Sequence, residues 1–492
     1  MRFSFSVARL GSAADGPSPG GVGASASAGT EGAAKHSTHH FVTEPGFKVP
    51  NIKVTGKDPD PKAGDMFLDA QSSPQNAVYL LNPRGQLLFY QPTASQSQSV
   101  RIVREQTYKG RPVLTYWKGK QVVPPGGGNG KDYIVNEHYK TLHTVTAGDG
   151  YKGQGADSHD FVLGHDGSEA VAFITVFAPV EHNLTSVGGP PNGMVYDWIV
   201  QEIDIATGKV VWEWQALGHV PLSDTYSHYT SGRTFDYFHL NSIQQLPDGH
   251  VLISSRDTWS VYSIDQATGK VDWKLGGKHS SFKMGPGTRF EWQHDATLHK
   301  GGLLTVFDDE SPSARKPSRG LELEIHRKTH RVTLVHAYEH SPPAYASSEG
   351  SVEILPDRNV FIGWGATPYV SEEGPGGTEL FGLRFPGQIH TDRAYRFPWV
   401  GKPLQPPVIA VRSSTKPGED LVYVSWNGAT QVTSWQVLAS SNKDGPFTKR
   451  GAPARWEGFQ TAIERSKAAY FKVEALSANG HLLGTSAVAA AP

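Results

Sequence analysis

The chain has 492 residues, 46 lysines and arginines against 47 aspartates and glutamates, and no cysteine. Near-neutral charge without a polybasic run argues against a nucleic-acid partner, and the absence of cysteine removes disulfides, thiolate nucleophiles and Cys-ligated zinc together. With 54 glycines, 34 prolines, 12 tryptophans and 18 tyrosines, the composition suits many short strands and turns better than long helices.

Residues 1–40 read as a disordered leader. From residue 11 they are rich in Gly, Ala and Ser and nearly empty of large apolar side chains, so they bury too little to offset their ordering entropy. The opening MRFSFSVARL is too short and broken for a signal-peptide core, and no apolar run reaches the roughly 20 residues of a membrane span. His36, His39 and His40 are read as incidental to this tail rather than as metal ligands.

Residues 41–402 repeat themselves. IDIATGKVVWEW (203–214), IDQATGKVDWKL (264–275) and EIHRKTHRVTLV (324–335) set Thr207, Thr268 and Thr329 at a constant spacing of 61 residues. Strand-opening units recur too: His294 lies 55 residues after His239, and Gly350 lies 56 after His294. A period of this length, with alternating strands joined by D-x-x-T-G-K and P-D-G turns, predicts β-propeller blades of four strands, about six of them over this span.

The Pro-punctuated segment GKPLQPPVIAV then leads into residues 403–492, where DLVYVSWNGATQVTSWQVLASS and AAYFKVEALSANG alternate apolar and polar residues at period two. Trp426 and the strand carrying Tyr470, Phe471, Val473 and Ala475 are the expected core of a fibronectin type III or immunoglobulin-like sandwich, a spacer or binding accessory joined to the propeller only through that segment. The expectation is an all-β chain: a six-bladed β-propeller followed by a small β-sandwich.

Histidine repeatedly heads a strand: SHDFVL carries His159, FHLNSIQQLPDGHVLISSRD carries His239, and QHDATLHKGGLLTVFDDE carries His294. In a propeller the leading residues of the inner strands converge near the channel mouth. Pairing Leu246 with Val251 across the Pro-Asp-Gly-His turn sets Arg256 opposite Asn241, on the face of His239. Pairing Leu298 with Leu303 sets Phe307 opposite His294, with Asp308 to Glu310 just beyond, close enough to orient an imidazole. Imidazoles, an amide and a guanidinium around one cavity suit a tetrahedral oxyanion, and one imidazole is a competent nucleophile. Each histidine read alone is equally well explained as a hydrogen-bonding stitch between strands.

In order and spacing, SHDFVL, DWIVQEIDIATGKVVWEW, FHLNSIQQLPDGHVLISSRDTWSVYSIDQATGKVDWKLGG, FEWQHDATL and EGSVEILPDRNVFIGWG resemble the arylsulfotransferase (aryl-sulfate sulfotransferase) family, in its bacterial and fungal branch with an appended sandwich domain. The resemblance implies a six-bladed propeller that moves a sulfuryl group from a phenolic sulfate ester to a phenol, without the nucleotide sulfate donor, through a sulfated histidine. It sets the nucleophile on His294 and the sulfate-binding positions on His159, His239, Asn241 and Arg256. It implies small-molecule phenolic donor and acceptor, neither cofactor nor metal, and an extracellular or cell-surface location. Asp295, one residue on, is expected to point away from the channel, and Trp292, Tyr237 and Phe238 are available to line its mouth. Two other classes fit the same residues: a non-catalytic propeller binding anionic ligands or proteins, and a metal-dependent enzyme using His294 with Asp308, Asp309 or Glu310.

Overall fold

In a computed structural model, residues 38–56, 62–164, 171–310 and 316–492 are described. The leader expected over residues 1–40 lies outside them as far as residue 37; its last residues do not stay free of structure, since Thr38 and His39 pair antiparallel with Pro50 and Val49.

Six sheets of four or five strands occupy residues 53–397. Their inner strands are β1 (Ser99–Tyr108), β2 (Phe161–Leu163), β3 (Leu240–Gln245), β4 (His294–Leu298), β5 (Ser351–Ile354) and β6 (Tyr395–Phe397). Each packs beside the next, and β6 returns to β1, so the inner strands surround one axis as in a β-propeller. The strands behind them are covered on both faces by neighbouring sheets. Such strands read as continuous apolar runs rather than as alternation, and Ala77–Leu81, sequence AVYLL, is buried at every position.

The ring is closed twice. Lys53–Gly56 pairs with Glu379–Arg384 on the outside of the sheet headed by β5. At the other end of the propeller sequence, β6 pairs with Asp65–Asp69 and supplies the inner strand of the sheet that begins there.

The repeated turns owe their shape to a side chain. Thr207 N–H and Oγ1–H both donate to Asp204 Oδ1, at 2.8 and 2.9 Å, and Thr268 does the same to Asp265, at 2.8 and 3.0 Å. Gly208 and Gly269 follow with φ of 69° and 70°, whereas the third repeat sets His330 in that left-handed conformation at φ 49°.

Hairpin registers near the axis differ from the simple pairing. Leu246 N–H donates to His250 O at 2.8 Å, which makes Pro247–Gly249 a three-residue loop with Gly249 left-handed at φ 83°, and Gln245, not Leu246, faces Val251. A bulge between Leu240 and Ser242 then shifts the strand again, so Arg256 N–H donates to His239 O at 2.9 Å. Arg256 is therefore opposite His239 and not Asn241, which occupies the bulge. In the next sheet Leu298 faces Leu304 rather than Leu303, and a bulge between His294 and Thr297 cancels the offset and returns His294 to Phe307. β1 is irregular in the same place, between Arg101 and Arg104. Bulges re-aim side chains at the rims of closed sheets, and here they do so where the axis-facing residues begin.

Beyond the propeller, Val408–Ser413, Glu419–Ser425 and Gln460–Ser466 form one sheet, and Ser434–Ser440 with Tyr470–Leu476 is the centre of a second. Phe471, Val473 and Ala475 are fully buried, but the central tryptophan is Trp435 rather than Trp426. Trp426 lies at the margin, its Nε1–H donating to Gln405 O at 2.6 Å. The proline-rich segment is not the sole connection to the propeller. Asn427 exchanges two hydrogen bonds with the Tyr90 backbone at 2.9 Å each, Gly428 N–H donates to Leu88 O at 2.8 Å, and Tyr139 Oη donates to Gly428 O at 2.8 Å.

Candidate active site

His159, His239 and His294 stand at the heads of β2, β3 and β4, three successive inner strands, and His239 and His294 are 6% and 4% exposed. Each presents Nδ1 to a carboxylate: Asp157 Oδ2 at 2.7 Å from His159, half-buried Asp236 Oδ2 at 2.6 Å from His239, and Asp309 Oδ2 at 2.6 Å from His294. A ring whose Nδ1–H is held in this way offers Nε2 as acceptor. The His159 and His239 rings lie 4.9 Å apart, centroid to centroid, and Trp198 packs against both, at 5.5 and 4.9 Å.

For His294 the tautomer follows from the backbone. Glu349 N–H donates to His294 Nε2 at 3.3 Å, which requires a lone pair on Nε2 and the proton on Nδ1. Burial, and after it the neighbouring Arg256 guanidinium, holds the imidazole well below its ordinary range, so the ring is neutral at pH 7. Burial pushes the Asp309 carboxyl well up. His239 is held down to about 3 by burial and then by His159, while burial raises Asp236 to about 7.

Arg256 reaches the same region from the strand behind β3. Its Nη1 pairs with Asp257 Oδ1 at 3.0 Å, and its guanidinium lies 3.9 Å over the Trp292 ring. Asn241 is fully buried and is already engaged: Nδ2 donates to Gln293 O at 2.7 Å, which fixes the peptide preceding His294 and leaves one amide hydrogen. Tyr237 and Phe238 do not line the mouth. They are fully buried between sheets, packed in the cluster that holds Trp214 and Tyr262, because the chain enters β3 from the interior.

Beneath the imidazoles, Arg393 links the heads of three strands. Nη1 donates to Asp295 Oδ1 at 3.0 Å, and Nη2 donates to His159 O at 2.9 Å and Asn241 O at 2.6 Å. Asp295 is thus turned from the histidines onto this guanidinium, with Tyr395 Oη also donating to it at 3.0 Å. A cavity of about 560 Å³ opens toward the far ends of the inner strands, lined by Arg104, Asp160, Ser242, Asp295, Thr297 and Glu353; His159, His239 and His294 do not line it.

Of the acids that follow the hairpin from β4, only Asp309 turns to His294. Asp308 pairs with Arg319 at 2.7 Å, and Glu310 lies 3.2 Å from Arg319 and 3.4 Å from Lys316. Among the described residues no group of three or more His, Asp or Glu side chains is gathered as a metal site. Sequence reasoning did not single out Asp157, Asp236 or Arg393. The first two carried a signal, an acid two or three residues before each strand-leading histidine; Arg393 carried none.

Residues 104–385, more than half of the chain, match the family model described as arylsulfotransferase (ASST). The chain belongs to the arylsulfotransferase family. No curated protein matches it. Solved structures similar to this arylsulfotransferase-family chain include a protein of unknown function from Bacteroides caccae (12% identity, 67% of this chain and 98% of that one, TM-score 0.40). A protein from Lactobacillus plantarum is also similar (12%, 81% and 99%, TM-score 0.36), as is the Cps50 (Swd1) β-propeller domain of Myceliophteria thermophila (12%, 65% and 93%, TM-score 0.32). No helix of the described residues is long and apolar enough to cross a membrane.

Proposed function

We propose that this arylsulfotransferase-family chain transfers a sulfuryl group from a phenolic sulfate ester to a phenol by double displacement at His294, without a nucleotide sulfate donor. The observation that carries this reading is the setting of His294: Nδ1 held by Asp309, Nε2 bearing its lone pair, and two further carboxylate-held imidazoles and a guanidinium around it. Nε2 attacks sulfur, the N–S bond forms as the S–O bond to the aryl group breaks, and the aryloxide leaves with the electron pair. Asp309 shares the Nδ1 proton and so spreads the positive charge on the sulfated ring. A phenol oxygen then attacks sulfur, and the N–S pair returns to Nε2. The first aryloxide leaves as the anion and takes its proton from solvent; the proton that the acceptor phenol gives up passes to a neutral ring nitrogen such as His239 Nε2 and from there to solvent, so the cycle closes with no net gain of protons.

The Arg256 guanidinium holds the spectator oxygens; the His159 and His239 rings flank it, and a proton taken up on Nε2 turns either into a further donor, while Asn241 fixes the Gln293–His294 peptide. Sulfuryl transfer resembles phosphoryl transfer in its loose, charge-spread transition state, so fixed donors and in-line positioning supply most of the rate. The test is rapid quench of enzyme given an aryl sulfate without acceptor: one equivalent of phenol is released, and a sulfuryl group is found on the His294 peptide in an alkaline digest. A label on another residue moves the nucleophile.

One observation favours a second reading, an anion-binding propeller without turnover. Glu349 N–H already occupies the His294 lone pair at 3.3 Å. Under that reading the aryl sulfate binds and no phenol is released.

A further inference from the structure

A cleft of about 780 Å³ opens beside Arg256, and Thr225, Tyr226, His228, Trp259, Lys278 and Trp292 line it. Its aromatic side chains form a connected series. Tyr226 and Trp259 are stacked, centroids 3.6 Å apart and planes within 6°, and Trp259 is 6.5 Å from Trp292. A cation stands at each end: the Arg256 guanidinium lies 3.9 Å over Trp292, and Lys278 Nζ lies 4.9 Å over Tyr226.

The Lys278 end is built rather than incidental. Nζ donates to Ser223 O at 2.9 Å and Thr225 O at 2.7 Å, which fixes the ammonium and leaves its third hydrogen. The segment that supplies those carbonyls is itself anchored by Lys274 Nζ, 2.6 Å from the buried carboxylate of Asp224. Both tryptophans adopt left-handed backbone, φ 51° at Trp259 and 58° at Trp292. For bulky residues that conformation is strained and persists only where the surroundings impose it.

An aromatic wall between two cations matches an aryl group with negative charge at both ends. We infer that this cleft binds the aryl group of the substrate and selects phenols carrying an anionic substituent, such as a carboxylate, on the side away from the reacting oxygen, with Lys278 as the recognising group. The inference rests on the sulfuryl-transfer reading for what happens at the Arg256 end. In a double displacement the first phenol leaves before the second enters, so one cleft serves donor and acceptor. Stacking supplies affinity for any phenol, and the cation at the far end discriminates among them.

The experiment compares three acceptors against 4-nitrophenyl sulfate: 4-hydroxyphenylacetate, phenol and 4-hydroxyphenethylamine. The enzyme is expected to prefer the carboxylate over the amine by about tenfold or more in kcat/KM, the size of one charge-assisted contact. Lys278→Gln should bring the two together, and Lys278→Glu should reverse their order. An acceptor order that survives Lys278→Glu in a folded variant overturns the inference. Binding without turnover is read separately, by quenching of indole fluorescence with 4-hydroxyphenylacetate, whose Kd should rise about tenfold in Lys278→Gln. If the wild-type enzyme releases no phenol from the donor, the transfer reading fails, and the titration still decides the cleft: an unchanged Kd overturns the Lys278 assignment.

Discussion

His294 and Asp309 meet across the hairpin that begins with β4, Nδ1 to Oδ2 at 2.6 Å, while Glu349 N–H approaches the other ring nitrogen at 3.3 Å. The imidazole is gripped from both sides, which sets its tautomer before any substrate arrives.

His294→Ala should remove essentially all sulfuryl transfer and all covalent label, since the nucleophile is gone. Asp309→Asn keeps the shape but reverses the hydrogen bond at Nδ1. A loss on the order of 10³- to 10⁴-fold in kcat is expected, comparable to neutralising the carboxylate behind other catalytic imidazoles. Steady-state kinetics on a chromogenic aryl sulfate measures both; near-normal rates in Asp309→Asn would remove the carboxylate from the mechanism.

Arg256→Lys retains the charge but not the planar fork or the stacking on Trp292, and activity should fall yet remain measurable. Asn241→Ala releases the Gln293 carbonyl and with it the His294 peptide, for a loss on the order of 10²-fold. Because Asn241 acts through His294, the loss should appear in the rate of label formation with donor alone; an unaffected burst rate would assign Asn241 to acceptor binding instead.

Burying Arg393 at 3% exposure is tolerated because Asp295 and two backbone carbonyls surround it. Arg393→Met leaves Asp295 without its cation and Asp160 with Arg104 alone, and about 3–5 kcal/mol of stability should be lost. Urea unfolding followed by tryptophan fluorescence reads the change. An unshifted midpoint would mean that Asp295 is neutral in the folded protein.

The pH dependence has two sides. His239 is neutral in the folded chain down to about 3, whereas an unfolded histidine takes up its proton near 6.5. Asp236 beside it, raised by burial to about 7, takes up in the folded chain the proton that His239 refuses, so between 3.8 and 6.5 the two shifts largely offset each other. The His390–Glu349 ion pair, Nε2 to Oε2 at 3.2 Å, acts at the other end. Burial opposes the charge on His390, but Glu349 raises it to about 9, so its contribution is complete below 6.5 and is lost as pH rises through 9. Glu349, against the opposing effect of burial, is held down to about 2 by Arg101 and His390, so its share is complete above 4.5 and is lost as pH falls through 2. Thermal melts should therefore show His390→Gln abolishing part of the alkaline loss between 6.5 and 9. An identical alkaline limb in wild type and variant would exclude the pair as its source.

Removing residues 403–492 should destabilise the propeller rather than leave it untouched. Asn427 and Gly428 satisfy backbone groups of Leu88 and Tyr90, and Phe459 packs on Phe41 and Phe47, with centroids at 4.7 and 6.0 Å. Asn427→Ala alone should cost about 1–3 kcal/mol, the penalty for stranding such groups. Calorimetry of the truncated chain should give a lower Tm; an unchanged Tm would show that the interface contributes nothing.

Much of the propeller was legible because its turns repeat, with Thr207 and Thr268 each bonded to an aspartate three residues before it. The heads of β2, β3 and β4 were legible because a buried imidazole is an unusual start to a strand. Hairpin register was not. Pairing rules assume uniform ladders, and each of the two hairpins considered combines a three-residue or irregular loop with a bulge near the axis. The errors cancelled at His294 and left Arg256 opposite His239. Arg393 was illegible for another reason: its partners lie at Asp295, His159 and Asn241, far away in the chain, and no local pattern marks a residue whose environment comes from other sheets.

The segment that closes the propeller has a consequence for biosynthesis. Arg393 precedes β6 by two residues, so the guanidinium beneath the histidines arrives with the strand that seals the first sheet. A ribosome has made all three imidazoles, their carboxylates and Arg256 well before that point. A nascent or prematurely terminated chain that ends before residue 393 therefore holds the reactive side chains but not the cation that fastens the heads of β2, β3 and β4 together. Assembly of the chemistry is thereby tied to completion of the ring.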